Sequence, residues 1–395
     1  MRGSGEGAVF KRSRDNLWVG RVELPPINGE RRRKEVTAKT KTVLLEKMRE
    51  TREELRTNGD VVTNAPTVEE WLIFWLRNVT RVRPLVRDQY ESLATRHVIP
   101  AIGNVKLNRL TTSHVRRVHQ HFTDLGLSST YARNAHWMLS GALSDAVRDG
   151  KTPSNPCDRV DAPPAAKTTL EALTVGQAVE LIGRCVDAFK ADLYDSETVM
   201  YATHLLTGAR RGEVLGLEWD RVGDVLDLSW QLQRLKAGTA FRPDFEYRHV
   251  TKGYFLTRPK TSKSWRIIPL VDPLRTLLAE HRAHAPVNGF GLVFASRVRH
   301  QPVDPSAASN AWADYRPTVT DKPVRLHDLR HTTADLLYEA GIPEDLIEEI
   351  LGHSTRAMSR HYKSTGNLAR LTDAMKKLSA FLDKPGINEH VLEGQ

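Results

Sequence analysis

Six side chains carry the chemistry this sequence can do: Arg210, Lys260, His327, Arg330, His353 and Tyr362. Thr207-Gly-Ala-Arg210-Arg-Gly-Glu213 follows an apolar stretch, Lys260 sits in Pro259-Lys-Thr-Ser-Lys263, and His327-Asp-Leu-Arg330-His331 comes next. Leu351-Gly-His353 follows, and then Tyr362, nine residues further on. A guanidinium presents paired N–H donors that match two oxygens of an anion, which an ammonium cannot do. Imidazole titrates near neutrality and can donate or carry a proton. A phenol has an ordinary pKa of about 10, so its oxygen is a poor nucleophile until its proton is drawn off. Taken singly the residues say little: a given tyrosine is usually amphipathic packing.

In this order (Arg, Lys, His-x-x-Arg, His, Tyr) the set resembles the tyrosine recombinase, or phage integrase, family, and the whole family pattern is present. The resemblance covers roughly residues 170–385 and extends more loosely to the helical part before it. It implies attack by the Tyr362 oxygen on a DNA phosphodiester, leaving a 3′-phosphotyrosyl bond and a free 5′ hydroxyl. Arg210 and Arg330 would then clamp the non-bridging oxygens, and Lys260 would protonate the leaving oxygen. His327 and His353 would donate to the phosphate and move protons. The tyrosyl ester is close in energy to the bond it replaces, so a second 5′ hydroxyl can reseal the strand without ATP. No metal or other cofactor is expected, because cationic side chains do what a metal would do.

Supporting residues follow from spacing. His327 and Arg330 are three apart and are expected on one helix face. Glu213 lies one turn from Arg210 and can hold that guanidinium; His331 is read as support for the site. Lys263 is the nearest rival to Lys260. Fifty residues separate Arg210 from Lys260, more than a minimal recombinase uses, and the surplus at about 234–252 is either a DNA-touching loop or a decorated surface turn.

These residues need a scaffold. The strand content of 8–24 and 31–37 and the helical spacing of 40–56 predict a small three-stranded sheet with one helix. Thr67 with Glu70 three positions on is a capping box. From there to about Ala146 the apolar clusters predict a four-helix unit, and Asn155–Thr168 reads as a linker. The last part should be mostly helical with a small sheet: a single strand at 225–235, and a hairpin of 255–259 with 265–270 around the Lys260 turn. Helices are expected at 327–340, 343–351, 356–362 and 367–382, the last with a stripe of Leu368, Leu371, Met375, Leu378 and Leu382. The fold class is therefore multidomain α+β, with domains at 1–64, 65–165 and 166–395.

Composition agrees with DNA as the partner. In 395 residues there are 58 Lys plus Arg against 48 Asp plus Glu, a net charge of +10. Residues 1–64 carry +5, 65–165 carry +4 and 166–395 only +1, which points to two phosphate-contacting front modules and a near-neutral back module. Two cysteines exclude a disulfide scaffold and a Cys-rich zinc module. No run approaches the about 20 apolar residues that span a bilayer, and no secretory signal is evident, so a cytoplasmic protein is expected.

The N-terminal module resembles the arm-binding domain of larger integrases, with Arg12, Arg14, Trp18, Arg21, Arg31, Arg32, Arg33 and Lys34 as candidate DNA contacts. The helical module resembles the core-binding domain, with Arg81, Arg83, Arg87, Arg96, Arg116, Arg117 and Arg133 as candidates. The resemblance implies a homotetramer on double-stranded core and arm attachment sites. It further implies a Holliday junction, an accessory DNA-bending or excision factor, and a phage or other mobile element in a bacterial nucleoid. The terminal stripe either packs on its own domain or docks on a neighbouring subunit. The rival readings are a type IB topoisomerase, a DNA-binding regulator without catalysis and a metal-dependent nuclease.

Overall fold

The computed structural model describes residues 9–27, 30–58, 65–166, 171–190, 195–236, 238–239, 241–259, 265–285, 287–296, 299–352 and 365–383. It divides into two compact units, Met1–Lys167 and Thr168–Gln395. Three separate hydrophobic cores lie within them.

The smallest core belongs to β1 (Val9–Arg12), β2 (Leu17–Ile27), β3 (Glu30–Ala38) and α1 (Lys41–Asn58), an antiparallel sheet in the order β1-β2-β3 with one helix. The strand period of two puts Val22 and Leu24 of β2 on the same face as Val36 and Ala38 of β3, and Leu44 and Met48 of α1 complete that core. A β-carbon on Gly20 would come within 2.2 Å of the Met48 sulfur, so the helix lies directly on the strand there.

The second core is helical: α2 (Val68–Asn78), α3 (Pro84–Leu93), α4 (Ile99–Ile102), α5 (Thr112–Asp124) and α6 (Ser129–Arg148). A π-helical turn, Ala94–Val98, runs α3 into α4, so there are four helical runs. The Thr67–Glu70 capping box is formed, with the Glu70 N–H donating to Thr67 Oγ1 at 3.2 Å and the Thr67 N–H to Glu70 Oε2 at 2.8 Å. The segment read as a linker from Asn155 is in part structural: Pro156 and Cys157 are buried in a 3₁₀ turn, and Asn155 caps it. The apolar ring and thiol outweigh the turn-forming composition of that stretch.

The third core is built around α8 (Ser196–Thr207), in which every residue but Glu197 is buried. Its Thr203 and Thr207 hydroxyls donate to carbonyls one turn back, at 2.8 Å and 2.5 Å, so the helix can be surrounded by other elements. Here α7 (Val175–Lys190), α9 (Arg211–Leu215), α10 (Leu274–His284) and α12 (Leu329–Glu339) pack on it. Around them are α11 (Pro305–Tyr315), α13 (Glu344–Leu351) and α14 (Thr365–Leu382). Leu371, Met375, Leu378 and Leu382 of α14 are buried within their own unit, where α14 packs against β8 (Ile267–Pro269) and α13; Leu368 is exposed.

The strands of this unit differ from the expectation. The stretch 225–235 is two strands, β4 (Val225–Asp227) and β5 (Gln231–Arg234), because the Asp227 carboxylate accepts the Ser229 N–H at 2.8 Å and turns the chain. β7 (Tyr254–Thr257) has β5 on one edge and β6 (Tyr247–Thr251) on the other, so neither edge is open to the residues after 265. Instead β8 pairs with β4, and the expected hairpin around Lys260 joins two different sheets. The expected helix 327–340 begins later. Leu326–Asp328 is a 3₁₀ turn ahead of α12. The expected helix 356–362 lies outside the described residues.

Within α8, His204 is 1% exposed, and its Nδ1–H donates to the Ala209 carbonyl at 3.2 Å. Among the described residues its Nε2 is buried without a hydrogen-bond partner, and burial lowers its pKa from 6.5 to about 4. The folded chain therefore refuses a proton that the unfolded chain accepts, and stability falls as pH drops from the ordinary value toward the folded one. Denaturant titrations at pH 7 and pH 5 should show that this residue alone costs about 2 kcal/mol between them. The His204→Gln variant should lose that part of the slope, and an identical slope in both proteins would contradict the assignment.

Candidate active site

Arg210 stands between the end of α8 and the start of α9. Gly208 ends α8 with φ +58°, and Gly352 ends α13 with φ +71°, the left-handed conformation that suits glycine. A β-carbon on Gly208 would come within 2.4 Å of Leu351 Cδ2, so the two helix ends meet. Arg330, 5% exposed, lies across that junction. Its Nη1 donates to the Gly208 carbonyl at 2.7 Å and its Nη2 to the Leu351 carbonyl. Arg210 Nη2 donates to the Gly352 carbonyl at 3.4 Å. Carbonyls at helix C-termini carry partial negative charge, which holds both guanidiniums in place.

Glu213 braces Arg210 from behind. Its Oε2 accepts the Arg210 backbone N–H at 2.8 Å and its Oε1 accepts Nη1 at 2.9 Å. The same carboxylate pairs with Arg266, whose Nη2 reaches Oε2 at 2.8 Å and whose Nη1 reaches Oε1 at 3.2 Å. Burial alone would push the Glu213 carboxyl up, but Arg266 and then Arg210 outweigh it and hold it below the usual range. Two guanidiniums thus share one carboxylate. The Arg330 guanidinium is pushed down by burial and then by the charges of Arg266 and Arg210. Such a site carries surplus positive charge away from bulk water, and an added anion relieves it.

His327 is exposed in the 3₁₀ turn and Arg330 is buried in the first turn of α12. His327 still lies near enough to feel the cluster: partial burial, then Arg330 and His331, and also Arg210, lower its pKa. That direction favours the neutral imidazole. His331 is half-buried, its ring 6.5 Å from that of His327. Lys260, its rival Lys263, His353 and Tyr362 lie outside the described residues, which resume at Trp265 after the first two and end at Gly352 before His353. Among the described residues no group of three or more His, Cys, Asp or Glu is placed to hold a metal ion.

Arg266 was not among the sequence candidates. Its signal was present: one charge inside the apolar run Trp265-Arg-Ile-Ile-Pro-Leu270, which only a buried counter-ion accommodates.

The DNA-contact candidates divide by face. Arg31 and Arg33 are exposed, and both pair with Glu23. Arg12 and Arg21 pair with Glu35 on the same outward face, where Arg21 also lies over the Phe10 ring. Arg32 and Lys34 alternate to the face that holds the core, and Trp18 packs on that core; Arg14 lies in the β1–β2 turn near Asp15. In the helical module, Arg81, Arg96, Arg116 and Arg117 are exposed, whereas Arg83, Arg87 and Arg133 are half-buried. Arg133 donates to the Pro163 carbonyl and lies over Trp137.

Residues 172–367 match the Phage integrase family, and residues 67–122 match the Phage integrase, N-terminal SAM-like domain. An integrase of Saccharopolyspora erythraea is 24% identical, over 88% of this chain and 90% of its own. The ICEBs1 integrase of Bacillus subtilis is also 24% identical, over 84% of this chain and 87% of its own. Among solved structures, the Tn1549 transposon integrase (residues 82–397) in complex with circular intermediate DNA has the same fold, with a TM-score of 0.60 and 19% identity. That match covers 78% of this chain and 98% of the other. A lambda integrase tetramer bound to a Holliday junction gives 0.51 at 16% identity, over 89% and 96%. With both of its catalytic and SAM-like parts matched in order, the chain belongs to the phage integrase family of tyrosine recombinases.

Proposed function

We propose that this protein is the site-specific recombinase of a phage or other mobile element, and that it breaks and rejoins DNA through Tyr362. The observation that carries the reading is the pair of guanidiniums, Arg210 and Arg330, brought from distant parts of the C-terminal unit onto the end of α13 that leads into His353. A buried surplus of positive charge suits a phosphodiester that gains negative charge in its transition state.

In this reading the Tyr362 oxygen bonds to the phosphorus and gives up its proton, while the bond to the 5′ oxygen breaks. Lys260 supplies the proton that the leaving 5′ oxygen needs. His327 and His353 hold the phosphate and carry protons. A second 5′ hydroxyl then attacks the tyrosyl ester and frees the phenol. Four copies acting on two duplexes would exchange the strands one pair at a time through a Holliday junction. Part of α14 or its neighbours would pass to an adjacent subunit, and an accessory bending or excision factor would set direction. The domains are assigned as 1–64 arm-binding, 65–165 core-binding and 166–395 catalytic. Linking arm and core binding in one chain raises the effective concentration of the second contact. The site of action is the bacterial cytoplasm, on the nucleoid; among the described residues no helix is long and apolar enough to cross a membrane.

A suicide duplex carrying the core site tests the chemistry. Wild type should form a denaturant-resistant adduct on the 3′ phosphate with no divalent metal added. The Tyr362→Phe variant should bind the same DNA and form none; an adduct in that variant means the nucleophile is a different residue. Arg210→Ala and Arg330→Ala should each slow adduct formation by about 10²- to 10³-fold. Rates equal to wild type would remove them from the phosphate.

The outward face of β1–β3 places Arg12, Arg21, Arg31 and Arg33 together, which supports an arm-binding role. Deleting residues 1–60 should abolish integration into a two-site substrate while core-site cleavage stays within about threefold of wild type. Equal loss in both assays would contradict that role.

A further inference from the structure

The Arg266 side chain is wholly inaccessible to solvent, as is nearly all of its partner Glu213. Each oxygen of that carboxylate accepts one donor from Arg210 and one from Arg266. It therefore cannot turn without breaking bonds on both sides. Arg266 also lies under the second support of Arg210: a β-carbon on Gly352 would sit 3.1 Å from Arg266 Nη1 and 3.3 Å from its Cδ. Its backbone carbonyl accepts the Leu228 N–H at 3.0 Å, which pins the strand start that follows the Lys260 segment. Among the described residues its Nε is buried with no hydrogen-bond partner. A buried ion pair with an unpaired donor is a poor source of stability, and apolar side chains of similar volume often pack better. Stability is thus a weak reason for a guanidinium at this place, and geometry is a stronger one.

We propose that Arg266 is a positioning residue for strand cleavage: acting through Glu213 and the Gly352 turn, it fixes the direction of the Arg210 fork. The inference rests on the reading of Arg210 as a phosphate ligand. Among the described residues, the charged and titratable groups that face Glu213 are Arg210, Arg266, Arg330 and His204. Of these, Arg266 contributes most to holding the carboxylate in its charged form. Without it, Glu213 takes up a proton at higher pH and releases Arg210.

The test uses the full-length protein and single-turnover cleavage of the core-site suicide duplex at saturating DNA, from about pH 5.5 to about pH 9. Wild-type adduct comes first; if wild type forms none, the recombinase reading fails and not this inference. Given that adduct, Arg266→Met should bind DNA within about threefold of wild type and cleave about 10²-fold more slowly, with the acid limb of its pH profile moved to higher pH. Arg266→Lys keeps the charge and should stay within about tenfold of wild type, with the acid limb in place. A bridging sulfur at the 5′ position gives a leaving group that needs no proton. It should not rescue Arg266→Met, because the defect lies in the clamp and not at Lys260. The proposal is overturned if Arg266→Met cleaves as fast as wild type, if its loss follows weakened DNA binding alone, if its acid limb does not move, or if sulfur restores its rate. Should Arg266→Met fold too poorly to assay, Glu213→Gln combined with Arg266→Met carries the test. That neutral pair should bind DNA and cleave no faster than Glu213→Gln alone, and a wild-type rate would overturn the proposal.

Discussion

One carboxylate organises the catalytic unit. Glu213 is shared between two guanidiniums, and a third, Arg330, lies close enough for its own charge state to respond to both. Like charges placed together in a low-dielectric interior repel strongly, so the arrangement stands only because helix-end carbonyls and one carboxylate hold each fork from behind. This explains why α8 is so deeply buried, why α8 and α13 both end in left-handed glycines, and why α12 starts where it does: each element delivers a carbonyl or a guanidinium to the same junction.

Much of this was legible in the sequence. The Thr67–Glu70 box, the buried face of β2 against β3, and the brace between Glu213 and Arg210 all follow from local spacing, because helix and strand periods fix which side chains meet. What spacing could not supply was pairing between distant segments. β7 has both edges filled, so the chain beyond Trp265 is driven to β4, and no short-range pattern encodes that. Nor does the three-residue spacing of His327 and Arg330 foretell that the first is exposed and the second buried. Arg266 was missed for a related reason. Its partner lies 53 residues away, and a single charge in an apolar strand names the need for a counter-ion without naming the counter-ion.

The front modules use positive charge differently. In the three-stranded sheet the outward arginines are partly offset by Glu23 and Glu35, so they are held in fixed directions. Arginines pre-oriented on a strand face lose less side-chain freedom when they meet a phosphate than free ones do. In the helical module Arg116 and Arg117 extend from α5 without such acidic partners among the ion pairs of the described residues. The catalytic unit contributes little net charge and concentrates it in one buried place.

The most direct measurement is the structure of the covalent complex trapped on a suicide core-site duplex. The account predicts continuous density from the Tyr362 oxygen to a 3′ phosphate, with its non-bridging oxygens within hydrogen-bond distance of both the Arg210 and Arg330 guanidiniums and Glu213 still bridging Arg210 to Arg266. A phosphate joined to another residue, or seated away from the two guanidiniums, would contradict it.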